Sequence, residues 1–106
     1  MMVNEYGEKL DRNGYAESIV KDNSRCFLCG RTDRALHRHE VWHGANRQKS
    51  KRLGLWVHLC DVCHDKLHHK DAKLDLDLKQ KMQIRAMEEY GWDIEQFRKI
   101  TGKNYL

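Results

Sequence analysis

The sequence predicts a small α+β domain with a thin core and a staple of four cysteines. Three observations carry that expectation. All four cysteines of the 106-residue chain fall in two C-x2-C pairs about thirty residues apart, Cys26-Phe27-Leu28-Cys29 and Cys60-Asp61-Val62-Cys63. Two short runs between the pairs alternate with a period of two, as strands do. The last third shows apolar residues at helical spacing.

Taken in order, residues 1–24 form an N-terminal extension without a clear period. Asp11-Arg12-Asn13-Gly14 has the chemistry of a tight bend, and Leu10 and Tyr15 on its flanks can form a small hairpin or belong to a frayed terminus. Ile19 and Val20 are candidates to pack onto the core. The first cysteine knuckle runs from Arg25 to Gly30, where a backbone turning back on itself calls for positive φ. Thr32-Asp33-Arg34 reads as a turn. Ala35 to Trp42 contains the first strand, with His37, His39 and Val41 on one face and Leu36, Arg38 and Glu40 on the other. Gly44-Ala45-Asn46-Arg47 ends it, and Arg47, Ser50 and Lys51 stand at the spacing of one short helical turn.

Leu53 to Leu59 reads as the second strand, Leu55, Val57 and Leu59 alternating against Trp56 and His58. From Cys63 to about Lys70 a helix is expected, which sets His64 and His68 side by side. Residues 25–70 thus make the core unit and 71–106 a helical extension packed on it. Within the extension Leu74, Leu78, Met82, Ala86 and Tyr90 form the stripe of a helix over Lys73–Tyr90 that Gly91 stops. Leu74-Asp75-Leu76-Asp77-Leu78 also alternates by two, so an extended first turn is the alternative. Asp93 with Gln96 three residues later caps a last helix, whose apolar face is Ile94, Phe97 and Ile100, ending near Gly102.

Two C-x2-C pairs are the sequence form of a four-thiolate zinc site. A two-residue spacer lets one turn aim both sulfurs at one ion, and the second pair completes a tetrahedron at about 2.3 Å. Disulfides and redox dithiols are the competing readings. The first residues, Met-Met-Val-Asn-Glu-Tyr-Gly-Glu-Lys, lack the apolar segment of a signal peptide, and no run of eighteen apolar residues offers a membrane span. The expected address is therefore the cytoplasm, where thiols stay reduced, with no membrane partner.

The formal charge is +4, and four zinc-bound thiolates plus the ion would subtract two. Its distribution is uneven. Arg47, Lys49, Lys51 and Arg52 lie in residues 41–60 without a single acid, whereas residues 71–95 carry seven acids against four bases. A basic loop beside an acidic helix suits a face that meets a polyanion, or simply a solvated loop.

Seven histidines are many for this length, and His37, His39, His43, His64 and His68 lie between the knuckles or just past the second. Here the chain resembles the HNH (ββα-metal) endonucleases of the four-cysteine kind. The residues that carry the resemblance are Leu36-His37-Arg38-His39-Glu40-Val41 and Leu59-Cys60-Asp61-Val62-Cys63-His64. The run from Arg38 to Arg47 also looks like the R-H-E-hydrophobic-F-H-G-x-N-R segment of small phage and prophage HNH proteins. The likeness covers about residues 25–69.

It implies a zinc-stapled ββα-metal domain with a C-terminal helical extension that hydrolyses DNA phosphodiester bonds, as a monomer or homodimer. Cys26, Cys29, Cys60 and Cys63 would hold structural Zn2+. His64 and His68 would hold a catalytic Mg2+, Mn2+ or other divalent ion. In one registration His39 is a ligand and Glu40 stands where the family has its base; in the other Glu40 is a ligand and His39 or His43 the base. A histidine base is the chemically favoured choice, its pKa of about 6.5 lying near working pH. His37, on the face of His39, is placed to orient the site. Asn46, Arg47, Lys49, Lys51 and Arg52 would contact DNA, the basic ones as phosphate contacts that position without reading sequence. The family's middle asparagine, about five residues before the second knuckle, is Leu55 here, and Asn46 is its nearest substitute. A DNA-binding zinc module without catalysis and a zinc-stabilised protein-interaction domain are the other two readings.

Overall fold

The computed structural model describes residues 2–42, 46–69 and 71–106. His43 lies outside the described residues. Strand β1 (Leu36–Glu40), helix α1 (Arg47–Leu53), strand β2 (Trp56–Cys60) and helices α2 (Asp61–His69), α3 (Ala72–Tyr90) and α4 (Ile94–Thr101) follow one another along the chain. The two strands pair antiparallel with Leu36 opposite Cys60 and His39 opposite Val57. The result is a small α+β arrangement of one two-stranded sheet and four helices.

Helix α2 starts at Asp61, two residues ahead of the expected Cys63, and two further boundaries differ from the sequence reading. The basic segment winds into a seven-residue helix that keeps Leu53, and the second strand starts at Trp56. Gly54 explains the switch. It ends α1 at φ 71°, and a Cβ there would strike the Glu17 carbonyl oxygen, so the chain must turn where a side chain has no room. Ser50 locks the helix to the end of β1: its hydroxyl accepts from Trp42 N and donates to Trp42 O, both at 2.8 Å.

Pairing in this register puts His37, His39, Val57 and Leu59 on one face of the sheet. Arg38, Glu40, Trp56 and His58 share the other. The N-terminal segment meets that second face, since Trp56 Nε1 donates to Ala16 O at 2.8 Å and Ser18 Oγ donates to Trp56 O at 2.6 Å. The bend at Asp11–Gly14 closes a narrow loop, with Leu10 bridged to Ala16 and Asp11 N donating to Tyr15 O at 2.9 Å. Val41, Leu55, Val57, Leu59, Leu67, Leu78, Met82, Ala86 and Phe97 form one buried cluster, so the sheet, α2 and both C-terminal helices share a core.

Helix α3 begins at Ala72, capped by Asp71, whose carboxylate accepts from Leu74 N at 2.9 Å. That cap makes the alternating Leu74–Leu78 run helical. Asp93 and Gln96 form the reciprocal capping box that starts α4. The chain end is pinned as well: buried Gln83 accepts from Tyr105 N at 2.7 Å and donates to Asn104 Oδ1 at 2.9 Å, and the Tyr105 ring packs 5.5 Å from Trp42.

Candidate metal centres

The first knuckle hangs on an α-turn, Gly30 N donating to Cys26 O at 2.8 Å with Gly30 at φ 76°. The second sits at the junction of β2 and α2, where Cys63 N donates to Cys60 Sγ at 3.4 Å. Phe27 N donates to His58 O at 2.9 Å, which stitches the first knuckle to β2. Arg34 adds an outer clamp on Asp61, the first residue of α2, through paired bonds of 2.5 and 2.6 Å. That guanidinium holds the Asp61 carboxyl down at about 2.

These supports bring the Cys26, Cys29, Cys60 and Cys63 sulfurs within 4.8 Å of one another. Cys29 Sγ and Cys60 Sγ lie 3.8 Å apart. A tetrahedron with Zn–S bonds of about 2.3 Å has edges of about 3.8 Å, whereas a disulfide needs about 2.05 Å. All four cysteines are free, so the group fits a metal ion such as zinc and not a pair of bridges. Burial opposes the charge at Cys26, but amide donors from Cys60, Cys29 and Leu28 outweigh it and bring the thiol down to about 6. Cys63 moves the other way, raised by burial and by bonding to the neighbouring sulfurs. Four thiolates packed this closely cannot all ionise without a shared cation, which is what a zinc ion provides.

One residue past Cys63 a second cluster begins. His64 and His68 lie one turn apart on α2, and His39 reaches them from β1 with ring centroids 5.4 and 5.1 Å away. The Nε2 atoms of His64 and His68 are 3.2 Å apart, close to the edge of about 3.4 Å expected for two imidazoles on one tetrahedral ion. One ring nitrogen from each of His39, His64 and His68 falls within 4.8 Å of the others, and the trio could hold a metal ion. The site opens outward in steps: His39 is buried, His64 half-buried and His68 exposed. Burial first, then the neighbouring His68 and His37, lower the pKa of His64 and keep it in the neutral form a metal needs. His37 stacks on His64 at 5.9 Å and 18°.

Comparison of the chain with protein-family models, curated proteins and solved structures returned no match. The site therefore stands on its own geometry.

Glu40 follows His39 on β1 and stands on the opposite face of the strand. Its carboxylate accepts from the Tyr15 hydroxyl and, at 3.1 Å, from Arg47 Nε. Burial pushes its carboxyl up, yet the Tyr15 and Arg47 donors outweigh that and hold it below the ordinary value. It also acts on His64 electrostatically, raising that ring against the other influences. The structure thus gathers His39 with the helix histidines and gives Glu40 separate partners.

The remaining basic candidates separate by helix face. Lys51, one turn after Arg47, lies with its Nζ 4.8 Å from the Tyr15 ring. Lys49 Nζ donates to Thr101 O at 3.0 Å, and Arg52 pairs with Glu5 at 2.6 Å. Asn46 sits at the head of α1 without a side-chain capping bond, and Leu55 is fully buried core. Sequence reasoning missed Tyr15 as a site neighbour. Its contact with Glu40 spans 25 residues, and no local pattern announces it.

Proposed function

We propose that this chain is a metal-dependent endonuclease of the HNH type that hydrolyses DNA phosphodiester bonds, with zinc on its four cysteines as a structural staple. The observation that carries the reading is the convergence of His39 from β1 with His64 and His68 from α2, a helix whose start is fixed by Cys60 and Cys63. Rigid attachment matters because a catalytic constellation must be held to within about 0.5 Å.

In this reading His39, His64 and His68 hold the catalytic ion, Mg2+, Mn2+ or another divalent metal. Such an ion supplies charge neutralisation at the phosphate and the leaving oxygen. Glu40, next in the chain to a ligand residue and held ionised by Tyr15 and Arg47, is the group that accepts a proton from the attacking water at Oε1 or Oε2. A carboxylate is a weaker base than imidazole, so the expected rate is modest. Arg47 stands to release Glu40 when a phosphate competes for its guanidinium.

The second reading, a zinc-stabilised DNA-binding module without catalysis, draws on one observation: both Tyr15 and Arg47 already occupy the Glu40 carboxylate. Supercoiled plasmid incubated with purified protein and Mg2+ or Mn2+ separates the two. Nicking that requires the ion and disappears in His39→Ala supports the hydrolase, and salt-sensitive DNA binding without nicking supports the module.

A further inference from the structure

The run Arg47, Lys49, Lys51 and Arg52 reads in sequence as one basic patch, but the fold divides it. On a helix with 3.6 residues per turn, Arg47 and Lys51 share a face and Lys49 and Arg52 lie on other sides. Lys49 is tied to the C-terminal end of α4 through Thr101 O, and Arg52 to the N-terminal segment through Glu5. Those two stitch the fold. Arg47 and Lys51 instead turn toward Tyr15 and Glu40, where a third cation joins them from β1.

That third cation is Arg38. Its guanidinium lies 4.0 Å over the Tyr15 ring and 4.4 Å over the Trp56 ring, and those rings stand at 85° to each other. It is seated in an aromatic corner. Cation–π attraction to the two rings holds the guanidinium in place, and arginine is the cation that can grip a phosphate in a forked geometry. The side chain remains 35% exposed. Two carboxylates stand nearby, Asp11 at 4.0 Å from Arg38 and Glu40 at 3.1 Å from Arg47, so three cations face two acids. Arg38 and Glu40 are two residues apart on one face of β1, roughly 6.6 Å along the strand, about two nucleotide steps of rise along one DNA strand.

We infer that Arg38, Lys51 and Arg47, organised on the Tyr15–Trp56 corner, form the DNA-backbone contact of this protein, and that Lys49 and Arg52 take no part in it. The assignment rests on the hydrolase reading for its choice of ligand. It goes beyond it by exchanging two residues of the basic run for one on the strand, and by making the N-terminal loop part of the DNA-binding face. Tyr15 serves two groups, as a hydrogen-bond donor to Glu40 and as a cation–π partner of Arg38.

The test is equilibrium binding of the zinc-loaded full chain to a short fluorescent DNA duplex by anisotropy, without added Mg2+ or Mn2+, across a series of NaCl concentrations. Removing one phosphate-binding cation should reduce the slope of log K against log salt by about 0.9. Arg38→Gln and Lys51→Gln are each expected to reduce it by about that amount and to weaken binding several-fold at low salt. Lys49→Gln and Arg52→Gln are expected to keep the wild-type slope. Arg38→Lys, which retains the charge and loses the fork, should keep the slope and still bind more weakly, and this separates contact from folding. Wild-type slopes in Arg38→Gln and Lys51→Gln overturn the assignment, as does a drop in slope for Lys49→Gln or Arg52→Gln equal to theirs. Plasmid nicking by the wild-type chain, measured alongside, tells the two failures apart: nicking with the wrong slope pattern sinks this assignment alone, and absence of both nicking and binding sinks the hydrolase reading with it.

Discussion

Stripping the metal from the four cysteines should unfold the protein, and the size of the effect follows from how little else holds that region. A chain of 106 residues has a net stability of about 5–15 kcal/mol. Structural zinc on cysteine ligands contributes about 10–16 kcal/mol near neutral pH. The metal term is as large as the whole net stability. The structure shows which contacts lie around it: Cys26 and Cys60 are themselves core residues, and Phe27, Leu28, Leu36 and Cys63 pack against the same cluster. Helix α3, 19 residues long, would survive at most as a marginal isolated helix. Thermal melts followed by circular dichroism, with chelator and then with zinc returned, measure this. The expected result is loss of the cooperative transition without metal and its recovery with one equivalent of zinc. A shift of about 1 kcal/mol moves the midpoint by about 4–8 °C in a domain of this size. A metal-free protein melting cooperatively within that range of the zinc form would refute the reasoning.

Three further outcomes follow from the same structure. Glu40→Gln should lower the cleavage rate by about 10²- to 10⁴-fold while manganese binding, followed by calorimetry, stays within a few-fold of wild type. Gly54→Ala should lower the melting midpoint by several degrees, a loss above about 1 kcal/mol, because alanine there combines a left-handed backbone with a clash against the Glu17 carbonyl; an unchanged midpoint counts against the account of the α1–β2 junction. The pKa of His64 is lowered, so the ring stays neutral somewhat below its ordinary value of about 6.5 and takes up a proton only as pH falls further. Protonation of His64 should therefore weaken manganese binding only on the acid side of that value, and a loss beginning well above pH 7 would contradict that sign.

Much of this arrangement was legible from local pattern. Alternation separates His37 and His39 from Arg38 and Glu40 on β1, and Val57 and Leu59 from Trp56 and His58 on β2, as the register has it. The capping box at Asp93 and the stop at Gly91 follow from single residues with strong backbone preferences. Spacing alone also brought the four cysteines together, since a C-x2-C turn has few ways to aim two sulfurs. What escaped were contacts between distant segments. Whether Lys49 and Lys51 share a role depends on which side of α1 meets Thr101 and which meets Tyr15, and only the packed fold decides that. The length of α1 was hidden for a similar reason: the apolar Leu53 beside Leu55 extends a strand pattern in sequence, while Gly54 and the Glu17 carbonyl impose a helix end between them. Whether His39 or Glu40 stands with the α2 histidines likewise depends on the position of α2, since adjacent strand residues face opposite ways and the sequence does not say which face the helix covers.

The central claim is that a second ion binds among the strand and helix histidines, apart from the sulfur site. Anomalous diffraction from a manganese-soaked crystal, with data also collected at the zinc edge, tests it most directly. The account predicts a zinc peak enclosed by Cys26, Cys29, Cys60 and Cys63 and a separate manganese peak bonded to His39, His64 and His68. A zinc peak alone, with the three imidazoles empty at millimolar manganese, would contradict it.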